Sequence, residues 1–197
     1  MSGPVSLRTS EVYTPESPKS FIAREKKVHA RHILVLGGAA SGKSEYAEQL
    51  VADLGPKRLY IASAEAYDAE MEAKIALHAE RRDAGWQVIE APLDLSPVLG
   101  GELPVLFDCA TMWLSNHLGA GSDLSKAQAD LLSSLASHRG TVVTVSNEVG
   151  QGIVPVNALA RAFREAQGRL NIALARQADV VVQVVAGLPL VLKGTLP

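Results

Sequence analysis

Eight consecutive residues, Gly37-Gly38-Ala39-Ala40-Ser41-Gly42-Lys43-Ser44, satisfy the pattern G-x-x-x-x-G-K-[ST]. Ile33 to Leu36 before them is a short apolar run. After them Ala47, Leu50, Val51 and Leu54 recur at helical spacing until Gly55-Pro56. A strand, a glycine-rich loop and a helix in that order commit the backbone to wrapping around an anion. The glycines let successive N–H groups converge, and the positive end of the helix lies behind them. The pattern predicts a nucleoside triphosphate in the cradle, with Lys43 reaching the β- and γ-phosphates as a catalytic cation and the Ser44 hydroxyl ligating Mg²⁺. Such a loop works with an acid at the end of a neighbouring strand, and Val105-Leu106-Phe107-Asp108 supplies one. Asp108 is therefore the second expected metal-site residue.

The rest of the composition narrows the class. At 197 residues, 47% hydrophobic and 20% charged, the chain has the length and balance of one α/β domain. Nineteen basic against 21 acidic residues leave a net charge of -2, and aromatics are 5%, so no nucleic-acid partner is expected. One cysteine, Cys109, points to a reducing, cytoplasmic setting. No apolar run approaches the roughly 18 residues of a membrane span. Residues 1–30, with Pro4, Pro15, Pro18 and the charge run Arg24-Glu25-Lys26-Lys27, read as a flexible extension. Residues 31–197 read as a single domain.

Within that domain apolar strands alternate with helical stretches. Strands are expected at Leu59–Ala62, Trp86–Glu90, Val105–Cys109, Thr141–Ser146, Val180–Val185 and Leu190–Lys193. Helices are expected over Asp68 to about Arg82, after Cys109 through Trp113 and Leu114, over Leu124–His138, and along a stripe of Leu159, Phe163, Ala166, Leu170 and Leu174. This predicts an α/β fold with a mostly parallel sheet covered on both faces. The last two strands, separated by Gly187-Leu188-Pro189, predict an antiparallel edge hairpin.

In the helix expected over residues 68–82, Met71, Ile75, His78 and Arg82 fall on one side. A neutral imidazole can attack phosphorus, and a guanidinium one turn away can neutralise charge on the displaced oxygens. A plain ATPase has no need of that pair.

Several motifs, in order, make the chain resemble the bifunctional adenosylcobinamide kinase / adenosylcobinamide-phosphate guanylyltransferase family of cobalamin biosynthesis. The loop begins Gly37-Gly38-Ala39 and ends Ser41-Gly42-Lys43-Ser44. Tyr60-Ile61-Ala62-Ser63-Ala64 precedes Asp68 and Glu70-Met71, and Ile75-Ala76-Leu77-His78 precedes Arg82, Trp86 and Glu90. Asp108 to Asn116 is similar to the family's acidic strand and following helix. Asn147-Glu148-Val149-Gly150-Gln151-Gly152-Ile153-Val154-Pro155 is the most specific match, followed by Asn157, Arg161, Arg164, Arg169 and Asn171. The resemblance spans about residues 32 to 194.

The resemblance implies a P-loop, RecA-like three-layer fold and two reactions: phosphorylation of adenosylcobinamide by ATP or GTP, then transfer of GMP from GTP through a phosphoramidate on His78. It implies nucleotide contacts at residues 37–44, at Ala62, Ser63 and Ala64, at Ala79, Glu80, Arg81 and Arg82, and at Glu90 and Asp108. It also implies a homotrimer. Glu90 is expected on the guanine edge or the ribose. Asn147 and Glu148 are open to metal, phosphate or corrinoid, and Gly150, Gly152 and Pro155 equally suit a turn before a long helix. Arg161, Arg164 and Arg169 suit either phosphates or a solvated helix face. Ala40 and Ala79 stand where the family often has Arg, and Asp83 where it tends to have Pro. The competing functions for such a chain are a kinase of another small molecule and a nucleotide-switched assembly protein.

Overall fold

Strands and helices alternate through the computed structural model, which describes residues 31–64 and 83–197. The extension expected over residues 1–30 and the helix expected over residues 68–82 lie outside the described residues. The elements are β1 (His32–Gly37), α1 (Lys43–Asp53), β2 (Arg58–Ala62), β3 (Trp86–Glu90), β4 (Val105–Asp108), α2 (Ala110–Gly119), α3 (Leu124–Ser137), β5 (Val142–Asn147), α4 (Ala158–Gln177), β6 (Val180–Val185) and β7 (Leu188–Lys193). They build one seven-stranded sheet in the order β3-β2-β4-β5-β1-β6-β7. All pairs are parallel except the edge pair β6–β7.

Both faces of the sheet are covered at its centre, which is why β1, β4 and β6 run largely apolar, whereas the edge strand β3 carries Gln87 and Glu90 and is mostly exposed. Ile33 and Val35 of β1 pack towards Ala47 and Val51 of α1, together with Leu106, Val143, Val145 and Val182. Leu34 points the other way, into a cluster with Phe107, Trp113, Leu131, Leu135, Leu170 and Leu174 from β4 and α2 to α4. The two-residue period of a strand thus sorts alternate side chains into two cores. Each fully buried Leu, Ile or Val adds about 1.5–3 kcal/mol before chain entropy is counted.

Two helix starts are capped by side chains. Asp123 Oδ1 accepts from the N–H groups of Ser125 and Lys126 at the head of α3, and Asn157 Oδ1 accepts from those of Leu159 and Ala160 at the head of α4. Against β5, Gln167 and Asn171 of α4 form a buried polar cluster. Gln167 Nε2 donates to Ser146 Oγ and Asn171 Oδ1, and Ser146 Oγ donates to Asn171 Oδ1 at 2.6 Å.

Several expected boundaries shift by one or two residues. The fourth strand ends at Asp108, because Cys109 turns to become the extended N-cap residue of α2. The hairpin turn is Ala186-Gly187, both with positive φ (51° and 77°), so Leu188 and Pro189 belong to β7. Two such residues give the twist that joins adjacent antiparallel strands. On α4 the buried stripe starts at Phe163, and Leu159 is 69% exposed.

Candidate active site

In an open parallel sheet, ligands collect beyond the carboxyl ends of the strands, where the strand order changes direction. Here β1 lies between β5 and β6, and the loop after it opens at that point. Strand register sets the neighbours. Gly37 aligns with Asn147 of β5, and Ala62 aligns with Glu90 on one side and Asp108 on the other. Asp108 aligns in turn with Val145, two residues before Asn147, so the carboxyl ends of five strands gather beside the loop without forming a single row.

The loop turns on Gly42, which precedes α1 with φ +87°, a backbone conformation that disfavours side chains. A Cβ there would lie 3.1 Å from Gly187 Cα, because the β6–β7 turn packs against the loop. The Lys43 ammonium reaches back across the loop and donates to the Gly38 carbonyl at 3.2 Å. Beyond the loop lies a cleft of about 400 Å³, lined by residues of the 39–45 stretch and by Tyr60, Ala62, Ala64, Val88, Glu90, Asp108, Cys109, Met112 and Asn147. A larger cavity of about 490 Å³, beside Trp113, His117 and Asp130, contains none of the expected site residues.

The acidic side of the cleft is organised by an aromatic residue. Tyr60 Oη donates to Asp108 Oδ2 at 3.0 Å. The Tyr60 ring meets Trp86 edge-on, with centroids 6.1 Å apart, and the Arg58 guanidinium stacks on Trp86 at 4.8 Å. Cys109, next to Asp108, is no nucleophile. Burial first, and then the neighbouring Asp108 charge, push its thiol up to about 12, so it stays protonated at neutral pH.

Most of the expected residues within the described stretches converge. Ala39, Ala40, Ser41, Gly42, Lys43, Ser44, Ala62, Ala64, Glu90 and Asp108 line the one cleft, while Gly37 and Gly38 form the base of the loop. Ser63 is turned away from it. Fully buried, its hydroxyl donates to the Cys109 carbonyl and accepts from the Cys109 N–H, tying β2 to the end of β4. His78, Ala79, Glu80, Arg81 and Arg82 lie outside the described residues. Tyr60, Val88 and Met112 join the lining without having been singled out. Tyr60 and Val88 occupy paired positions of β2 and β3 on the face that lines the cleft, a signal readable only once that face is known.

The open readings of the 147–155 segment also resolve into contacts. Glu148 Oε1 accepts from the Gly150 N–H at 2.7 Å, closing a local turn. Arg161 donates to the carbonyls of Pro155 and Val156, and Arg164 to that of Gly150. These two guanidiniums hold the loop, whereas Arg169 makes an exposed pair with Glu165 at 3.4 Å.

A P-loop strand separated from its acidic strand by one intervening strand, β5, is the RecA-like arrangement of P-loop proteins. A family model for cobinamide kinase / cobinamide phosphate guanyltransferase matches residues 33–192. The chain belongs to this family. It is 42% identical over 167 residues to the bifunctional adenosylcobalamin biosynthesis protein CobP of Pseudomonas aeruginosa, covering 82% of this chain and 96% of that relative. It is 39% identical over 180 residues to the bifunctional adenosylcobalamin biosynthesis protein CobU of Salmonella typhimurium, and 37% identical to that of Escherichia coli, each covering 82% of this chain and 99% of the relative. Among solved structures it is similar to the P4 protein from bacteriophage phi6 in complex with ADP, with a TM-score of 0.43 and 19% identity over 81% of this chain and 52% of that one. The RadB recombinase follows at 0.41 and 16%, over 79% of this chain and 75% of that one.

In this member of the cobinamide kinase family, Asp83 anchors the start of β3. Its carboxylate accepts from the Gly85 N–H at 2.8 Å and from the buried Arg58 guanidinium at 2.5 Å. The Gly85 bond first, and then Arg58, hold the carboxyl below its usual range. Ala40 lines the cleft from a left-handed backbone position, φ 53°.

Proposed function

We propose that this chain is a bifunctional enzyme of cobalamin biosynthesis. It phosphorylates the aminopropanol hydroxyl of adenosylcobinamide with ATP or GTP, then transfers GMP from GTP to that phosphate, giving adenosylcobinamide-GDP. The observation that carries this reading is the single cleft uniting Lys43, Ser44, Glu90 and Asp108, in a chain whose relatives bear both activities in their family name.

In the kinase step the hydroxyl oxygen attacks the γ-phosphorus, the bond to the β–γ bridging oxygen breaks, and the nucleoside diphosphate leaves as the hydroxyl proton passes to solvent. Lys43 and the loop N–H groups hold the charge that builds on the phosphoryl oxygens. In the transfer step a neutral His78 nitrogen attacks the α-phosphorus of GTP and pyrophosphate leaves. An oxygen of the acceptor phosphate then attacks the same phosphorus, the N–P bond breaks, and His78 is restored. Two displacements let donor and acceptor use the site in turn.

The Ser44 hydroxyl and the Asp108 carboxylate, the latter oriented by Tyr60, are hard oxygen donors that suit Mg²⁺. A bound Mg²⁺ would neutralise phosphate charge. We further place residues 31–197 in one catalytic domain with residues 1–30 as an extension, and the enzyme in the cytoplasm. We also propose a homo-oligomer, a trimer by family resemblance. The edge strand β7 supports this, since Leu188, Leu190 and Leu192 are 72%, 57% and 55% exposed.

The test is incubation with Mg²⁺ and GTP labelled separately at the α- and γ-phosphates, followed by mapping of acid-labile label. Label from the α-phosphate on His78, lost in His78→Ala, is expected. A protein that binds GTP yet takes no label on any residue overturns the transferase mechanism and leaves a kinase.

A further inference from the structure

The segment that follows β5 takes no part in the chemistry above, yet it starts at the cleft. Asn147 lines the wall, and the Glu148 N–H donates to the Gly37 carbonyl at 2.9 Å, at the base of the phosphate loop. The segment is held in shape by its own contacts. Glu148 Oε1 closes the turn at Gly150, and Arg164 donates to the Gly150 carbonyl. Arg161 donates to the carbonyls of Pro155 and Val156 at 3.0 and 2.6 Å, and Asn157 caps α4. Three backbone oxygens are thus engaged by arginines of α4, and what the loop turns to water is aliphatic. Ile153 is 97% exposed, Val154 66%, Val156 100% and Leu159 69%. Aliphatic surface so concentrated, on a loop fixed by two guanidiniums, is the mark of a face that something covers.

The kind of occupant follows from what this face lacks. An added strand needs a row of free N–H and C=O groups, but here three carbonyls are taken and Pro155 has no N–H. A phosphate needs a cation, and both nearby guanidiniums are turned to the backbone. A flat apolar body meets neither obstacle. The cleft itself, about 400 Å³, is at the small end of small-molecule sites, and a nucleotide takes it up. The acceptor in the reaction above carries its hydroxyl on a short arm of a corrin macrocycle larger than that nucleotide. Only the arm enters the cleft, so the ring has to rest outside, against chain that begins at the cleft wall.

We propose that the loop over residues 153–159 is the docking face for the corrin ring of adenosylcobinamide, with Ile153 and Val156 as its main contacts. This rests on adenosylcobinamide being the acceptor. The experiment is equilibrium dialysis of adenosylcobinamide against the full chain loaded with Mg²⁺ and β,γ-imido GTP, for the parent and for the double variant Ile153→Ser, Val156→Ser. The variant should bind adenosylcobinamide about tenfold more weakly, the effect of partly covering two aliphatic side chains. Its affinity for β,γ-imido GTP, its melting temperature and its sedimentation coefficient should match the parent, because both side chains are almost fully exposed. Unchanged affinity for adenosylcobinamide in the variant would overturn the proposal. So would a variant that sediments as a smaller species than the parent, which would give the face to a second copy of the chain. A parent that binds β,γ-imido GTP but no adenosylcobinamide would remove the underlying reading, and the proposal with it.

Discussion

The backbone N–H of Gly187 donates to the Ser41 carbonyl at 2.8 Å, so the turn of the C-terminal hairpin rests on the middle of the phosphate loop. The loop is braced from β6–β7 as well as from its own strand and helix. Gly187 holds φ +77° with open space where a Cβ would stand, so a larger residue there meets backbone strain rather than a clash. Gly187→Val should cost about 1–2 kcal/mol through that strain. It should lower the melting temperature by several degrees and weaken nucleotide binding by displacing the brace. Scanning fluorimetry with and without nucleotide checks both, and a destabilised protein of unchanged affinity would show that the loop keeps its shape alone.

Tyr60→Phe keeps the ring against Trp86 and removes the hydroxyl from Asp108. A bond to a charged acceptor orients it, and its loss should weaken Mg²⁺-dependent nucleotide binding about three- to tenfold. Binding measured with EDTA should not change. Equal weakening in both conditions would locate the effect in packing.

His32 carries an acid sensitivity of the fold. Burial lowers its pKa from 6.5 to about 4, against the pull of the Asp179 carboxylate and with a smaller push from Lys193. Between those values the unfolded chain binds a proton that the folded chain refuses. Stability should therefore be fully present above pH 6.5 and decline as pH falls towards 4, by on the order of 3 kcal/mol. Urea titrations from pH 7.5 to 4 should show that decline, and a folded His32→Gln variant should show it reduced.

Lys193 closes α4 from the far edge of the sheet. Its ammonium donates to the carbonyls of Ala175, Arg176 and Ala178, at 3.0, 3.1 and 2.5 Å. These are the last turn of the helix and its cap, where a cation also meets the negative end of the helix dipole. Lys193→Met should cost about 1–3 kcal/mol in denaturant melts while leaving nucleotide affinity unchanged.

The strand, loop and helix around Lys43 were legible because their geometry depends on residues within one short window. The same holds for Asp108 at the end of an apolar run, and for the alternation that makes the sheet parallel and two-sided. Gly187 reads as part of a longer connection because the Ala186-Gly187 turn needs two residues at positive φ, and Ala gives no such signal. Arg161 and Arg164 read equally well as phosphate ligands or solvated charges, since the carbonyls they hold belong to a loop whose path no local rule sets.

By itself, then, the sequence determined the anion cradle, the order of strands and helices, and the family. Those depend on short-range backbone preferences and on residue patterns that survive without a partner. Tertiary structure alone decided that Tyr60 grips Asp108, that Ser63 turns inward, that the hairpin braces the loop, and that Asn147 at the end of β5 lines the cleft opposite Gly37. Each depends on the register of strands far apart in the chain. Register comes from packing the whole sheet against two helical layers, so no window of local sequence contains it.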